Sequence, residues 1–242
     1  MKMFFPFSAS LILALVVFCF STSRREVEPR TIAEAPPSAV SETKSKSLPL
    51  ATAVDVRNTI ARVFGDFVVL PDVHRPAFVS NDWNGDGSQD LAVIVNINVK
   101  GAAKTNAGLL NWSVQNVEHV ELPTAGAAVY TFHQKQPPVT IKNGQRVMAI
   151  VHGTGEQGWR SPEAAQAYVL VNAPSKELST ISTIVLDEAG VALPRTTANP
   201  EQVVIGESAV GKQALYWTGG QYAAVRLRND SLLMAQNLSG KK

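Results

Sequence analysis

Asp82-Trp83-Asn84-Gly85-Asp86-Gly87-Ser88-Gln89-Asp90 runs directly into Leu91-Ala92-Val93-Ile94-Val95. Oxygen-bearing side chains fall at alternate positions, Asp82, Asn84 and Asp86, and Asp90 closes the stretch. A tight loop can turn residues 1, 3 and 5 toward one centre, with the backbone carbonyl of residue 7 joining them. Here residue 7 is Ser88, and Gly87 takes the sharp bend that a Cβ resists. Such a donor set suits a hard cation, so the expected ligand is Ca²⁺. Three neighbouring carboxylates repel one another, so the loop should be looser without metal. The competing reading is an Asx-turn loop with no metal, since Asp and Asn cap turns unaided.

An EF-hand needs a bidentate Glu at position 12 and flanking helices. Position 12 is Val93, inside a strand-like run, which excludes that arrangement. The pattern Asp-x-Asn-x-Asp-Gly-x-x-Asp-Leu, entering a strand, resembles the FG-GAP (VCBS-type) repeat, the calcium loop of integrin α-type β-propellers. The likeness spans roughly residues 80–95. It implies metal ligands at Asp82, Asn84, Asp86, Ser88 (backbone) and Asp90. The loop occurs once, and no period of the length a blade array would show recurs along the chain.

Around this loop the chain has 242 residues, 45% hydrophobic and 17% charged, with a formal net charge of +2. That is globular composition, long enough for one domain with its own core. No basic block gives a footprint for nucleic acid. Lys2 followed by the apolar stretch Phe4 to Phe20 and the small residues Ser21-Thr22-Ser23 is the layout of a secretory signal peptide, residues 1–23. The alternative is an uncleaved leader that tethers the protein to a membrane through residues 4–20, with Pro6 inside the run. Cys19 lies in this leader, so the mature chain has no thiol for disulfides, thiolate catalysis or a zinc–cysteine site. A secreted or periplasmic protein is expected, where calcium is plentiful.

Residues 24–50 are rich in Pro, Ser, Glu, Lys and Thr and read as a disordered linker. Residues 51–228 read as the calcium-binding β domain and 229–242 as a polar tail. Val56, Ile60, Val63 and Phe64 share one face at helical spacing, so a helix is expected over Ala51–Phe64 with Gly65 as its cap. Strands are expected at Phe67–Leu70, Pro76–Ser80, Leu91–Val99, Tyr168–Val171 and Ser179–Leu186. Asn143-Gly144 predicts a hairpin between Val139–Lys142 and Gln145–Val151, and Gly219-Gly220 another between Ala214–Thr218 and Gln221–Leu227. The expected fold is mainly β: a compact β-sandwich or an open propeller-like stack of antiparallel meanders, with one N-terminal helix.

His152-Gly153-Thr154-Gly155-Glu156-Gln157-Gly158-Trp159 contains a formal G-x-G-x-x-G. Pro162 would break the helix that dinucleotide binding requires, leaving a glycine loop with an aromatic at its edge. Its bland reading places Trp159 in the core and Arg160 in solvent. Residues Val147–Asn172, with Leu215–Gly220, resemble exported bacterial proteins of unassigned function that carry one calcium loop, a likeness that implies no activity. His74, His119, His133 and His152 are scattered, with no paired-ligand spacing for a transition metal. No G-x-S-x-G elbow occurs. Trp112, Trp159 and Trp217 are either a sugar platform or core.

The leading functional expectation is a non-enzymatic exported module that meets a macromolecular or glycan ligand, or serves the cell envelope. The alternative is a hydrolase of envelope polysaccharide or ester, with Glu156 near His152 and Arg160. A propeller fragment that completes itself by oligomerising is a third reading.

Overall fold

The computed structural model describes residues 48–108, 111–118, 120, 139–193 and 201–228. The expected signal peptide, all but residues 48–50 of the linker, the polar tail, His119 and His133 lie outside them. Among the described residues no helix is long and apolar enough to cross a membrane.

Helix α1, Ala53–Phe64, starts two residues later than the expected Ala51 and ends at the Gly65 cap as expected. Thr52 Oγ1 accepts the amide of Asp55, and Asp55 Oδ2 accepts the amide of Thr52, at 3.2 and 3.0 Å. This reciprocal cap satisfies N–H groups that the first turn leaves without partners. Val56, Ile60 and Phe64 are buried, and Val63 is half-buried.

The chain is mainly β, in two sheets. The first comprises β1 (Val68–Val69), β2 (Phe78–Asn81), β3 (Asp90–Ile97), β4 (Ser113–Asn116), β5 (Arg146–Val151) and β6 (Ala167–Val171), ordered β1-β3-β5-β6-β4 with β2 also on β3. All its pairings are antiparallel except β4 with β6, which is parallel. The second is an antiparallel meander of β7 (Lys176–Ser182), β8 (Gln202–Ser208), β9 (Gly211–Trp217) and β10 (Tyr222–Arg226).

The apolar run from Leu91 has a physical reason. Successive strand side chains point to opposite faces. Leu91, Val93, Val95 and Ile97 join the cluster around α1, with Val147, Ala149, Val151, Ala167, Val169 and Val171. Their neighbours Ala92, Met148, Ile150, Tyr168 and Leu170 share another cluster with Val204, Leu215, Trp217 and Tyr222 of the second sheet. Strands covered on both faces cannot alternate with polar residues. Each large side chain so buried contributes about 1.5–3 kcal/mol. The far face of the second sheet packs Val203, Ile205, Ala214, Tyr216 and Ala223 against Leu186 and Val191.

Several expectations are corrected. The single helix becomes three α-helices among the described residues, because α2 (Val99–Asn106) and α3 (Thr183–Glu188) follow strands directly. Asn98 Oδ1 accepts the amide of Gly101 at 2.8 Å and so starts α2, ending β3 at Ile97 rather than Val99. Ser182 Oγ accepts the amide of Ile184 at 3.3 Å, so the strand expected over Ser179–Leu186 stops at Ser182 and turns helical. Both side chains are N-caps, each satisfying an amide that the first helical turn leaves without a partner.

The Asn143-Gly144 hairpin does not form, although the turn does. Residues 139–142 are not in a strand. Asn106 accepts the amide of Ile141 at 3.0 Å and donates to its carbonyl at 3.1 Å, taking the backbone groups that a strand partner would use. β5 pairs with β3 and β6 instead. The β9–β10 hairpin forms as expected, Tyr222 opposite Trp217.

Candidate metal centre

The acidic loop is the connection between β2 and β3. Asn81 pairs with Asp90, and Phe78 with Val93, so residues 82–89 close a hairpin whose register is fixed on both sides. Asp82 Oδ1 accepts the amides of Gly85 and Asp86, and its Oδ2 accepts that of Gly87, at 2.7, 3.2 and 2.8 Å. Asn84 Oδ1 accepts the amide of Asp86 at 3.1 Å, and Asp86 Oδ1 accepts that of Ser88 at 2.8 Å. These are Asx-type turns, and they hold the loop through its own backbone. Asp86 is exposed, and Asp82, Asn84 and Ser88 are partly so.

Asp90 is the exception. It is fully buried. Its Oδ2 accepts the amide of Trp83 at 2.8 Å and its Oδ1 that of Gly153 at 2.7 Å. Burial pushes its pKa up to about 7, and the nearby charges of Asp86 and Asp82 push the same way. The two amides oppose the shift without cancelling it.

The formal G-x-G-x-x-G segment packs against this loop. Residues Gly155–Arg160 form two 3₁₀ turns joined across Gly158. Gln89 bridges the segments: its carbonyl accepts the amide of Trp159 at 2.7 Å, and its Oε1 accepts Trp159 Nε1 and Arg160 Nη1 at 3.2 and 3.1 Å. A Cβ on Gly153 or Gly158 would overlap the Gln89 backbone. The glycines therefore serve close approach between two loops.

Trp159 is fully buried, as the bland reading has it. Arg160 is not solvated. It stacks 4.2 Å from the Trp159 ring, lies 3.7 Å from Asp55 of α1, and donates to the carbonyl of Pro49 at 3.0 Å. Glu156 is exposed, whereas both ring nitrogens of buried His152 are engaged within the fold. Burial depresses the His152 pKa to about 4. Trp112 and Trp217 are buried as well, so none of the three tryptophans presents a ring face to solvent.

Sequence reading set His152 beside Glu156 and Arg160 and missed its partner Tyr222. His152 Nε2 lies 2.6 Å from the Tyr222 hydroxyl, and its ring centroid is 5.0 Å from those of Tyr168 and Trp217. No local pattern marks that grouping, because Tyr168, Trp217 and Tyr222 come from β6, β9 and β10 and His152 directly follows β5.

Among the described residues, no three His, Cys, Asp or Glu side chains stand as a ready metal cage. The donor chemistry nonetheless fits a hard divalent cation. Asp82, Asp86 and Asp90 supply carboxylates, Asn84 an amide oxygen and Ser88 a carbonyl; apart from Asp82 Oδ1, which accepts two amides, each side-chain oxygen that accepts a hydrogen bond accepts one and keeps a second lone pair. Comparison with protein-family models, curated proteins and solved structures finds no match to this chain.

Proposed function

We propose that this chain is an exported, calcium-stabilised, non-enzymatic β domain that meets a macromolecular or glycan ligand at the cell envelope. The 82–90 segment is read as a single FG-GAP (VCBS-type) loop. The apolar cluster shared by the two sheets favours the sandwich form of the expected architecture over an open propeller-like stack. Export rests on the Phe4–Phe20 leader layout, and the mass of the exported product tests cleavage after Ser23.

The observation that supports the metal reading is the donor set of one hairpin loop: Asp82, Asn84 and Asp86 hold the 85–88 backbone and buried Asp90 closes the turn, so three like-charged carboxylates fall within nine residues. A bound cation would offset that repulsion and supply the fixed positive centre the three carboxylates lack. Asp82, Asn84, Asp86, Ser88 (carbonyl) and Asp90 would hold it. The consequence is mechanical: β2 and β3 enter the sheet with Asn81 opposite Asp90, and the loop between them is braced. Binding to the folded form alone raises stability by about 2.7 kcal/mol at a hundred times Kd, and loops in this setting bind at roughly 0.1–1 mM.

Thermal melting with calcium and with chelator tests this. Calcium should raise the melting temperature of the wild type, and Asp86→Ala should remove the difference. A wild-type curve unmoved by millimolar calcium sinks the metal reading.

A further inference from the structure

Among the described residues, Asn84 has one hydrogen-bonding partner outside the 82–90 loop. Its Nδ2 lies 3.3 Å from Nδ1 of His152, a residue 2% exposed at the end of β5. The orientation of the Asn84 amide follows from Asp86. The Asp86 N–H donates to Asn84 Oδ1, and Asp86 Oδ2 accepts from Asn84 Nδ2 at 2.9 Å. A flipped amide would set NH₂ against N–H and oxygen against carboxylate. Nδ2 therefore faces His152, and an amide nitrogen only donates. His152 Nδ1 must then carry a bare lone pair. In the neutral ring the proton sits on Nε2, where the Tyr222 hydroxyl accepts it at 2.6 Å. Packing against Tyr168 and Trp217 fixes the ring.

From this geometry we infer that His152 is a positioning residue for the 82–90 loop: its bare Nδ1 holds the Asn84 amide with Oδ1 turned toward residues 82–88, and so sets the affinity of the loop for a divalent cation. The inference rests on the calcium reading above. Of the two acceptors for the Asn84 NH₂, Asp86 is itself an expected ligand and His152 is not. His152 is therefore the anchor that does not compete with the cation. A partner that orients a ligand in this way typically changes metal affinity about 10–100-fold.

Two substitutions separate the two ring nitrogens. Asn carries its polar atoms on Cγ, as Nδ1 is carried, while Gln carries them one bond further out, near Nε2. In the full chain, calcium affinity is read by competition with terbium, whose luminescence is excited through tryptophan. His152→Asn should stay within about threefold of wild type, and His152→Gln should bind about tenfold more weakly or worse. A merely structural role would weaken both variants alike. Ring ¹⁵N shifts of the wild type need no variant to fold, and should show Nδ1 unprotonated and Nε2 protonated at neutral pH. A protonated Nδ1 overturns the inference. So does a wild type that binds calcium while His152→Gln binds it equally well, which leaves the calcium reading standing. A wild type that binds neither calcium nor terbium removes both together.

Discussion

The amide of Gly153 donates to Oδ1 of Asp90 across a sequence separation of 63 residues, at 2.7 Å. The bond ties the last residue of the acidic loop to the first glycine of the segment that mimics a dinucleotide fingerprint. A buried carboxylate needs such donors, and a backbone can come that close only where a Cβ is missing. Four consequences can be measured.

Gly155 opens the first of the two 3₁₀ turns and Gly158 joins it to the second, and both have positive φ, +61° and +56°. A Cβ on Gly155 would meet open space, whereas one on Gly158 would lie 2.5 Å from the Gln89 carbonyl. Gly155→Ala should therefore cost only the left-handed strain, about 1–2 kcal/mol. Gly158→Ala should add overlap with backbone, about 1–3 kcal/mol more. Urea unfolding of the two variants gives the comparison, and equal losses would contradict the loop-to-loop packing.

Asp90 and Asp86 should separate in chelator. Asp90→Ala strands the buried amides of Trp83 and Gly153 and should cost about 2–4 kcal/mol whether or not metal is present. Asp86→Ala removes an exposed side chain whose lost amide partner can turn to water, so its cost without calcium should stay below about 1 kcal/mol. Denaturation in excess EDTA measures both. Similar losses would mean that Asp90 has no structural duty of its own.

Asp55 makes a pH prediction. Its pKa is lowered, first by the Thr52 amide, then by the Thr52 hydroxyl, with Arg160 adding to the effect. A carboxylate with a depressed folded pKa contributes stability that is present above its unfolded value near 3.8. That contribution fades as pH falls through the lower folded value. Asp55→Asn should destabilise the protein at pH 6 and flatten the part of the melting curve's pH dependence below about pH 4. An unchanged acid limb in the variant would count against the cap.

Trp159→Ala and Glu156→Ala separate core from surface within one short segment. The first empties a fully buried site and should cost about 3–5 kcal/mol. The second alters an exposed side chain and should stay within about 0.5 kcal/mol. A large loss at Glu156 would reopen the question of what that residue contacts.

Much of the fold was legible because its signals are local. α1 announces itself through the Val56-Ile60-Val63-Phe64 face and the Gly65 that follows it, and β9–β10 through a two-residue Gly-Gly connection. The acidic loop is legible for the same reason, since its Asx turns join residues two to five apart. The failures at Ser182 and Asn98 were local too. At Ser182 a single cap residue turned the strand-like run Thr183–Leu186 into a helix, and at Asn98 another ended β3 two residues early.

The rest was decided in three dimensions. Composition and spacing by themselves determined a mainly β chain with one capped N-terminal helix and an oxygen-rich turn feeding its central strand. Only folding could pair β4 parallel to β6, draw Ile141 onto Asn106, or set His152 between Asn84 and Tyr222. Those partners lie 35 to 70 residues apart, and β6 lies more than 50 residues beyond β4. Hydrophobic period and turn chemistry report on neighbours within a few residues. A contact whose members meet only after chain closure leaves no periodic trace in either segment, so the purpose of Gly153, Gly158 and His152 becomes visible only where the loops touch.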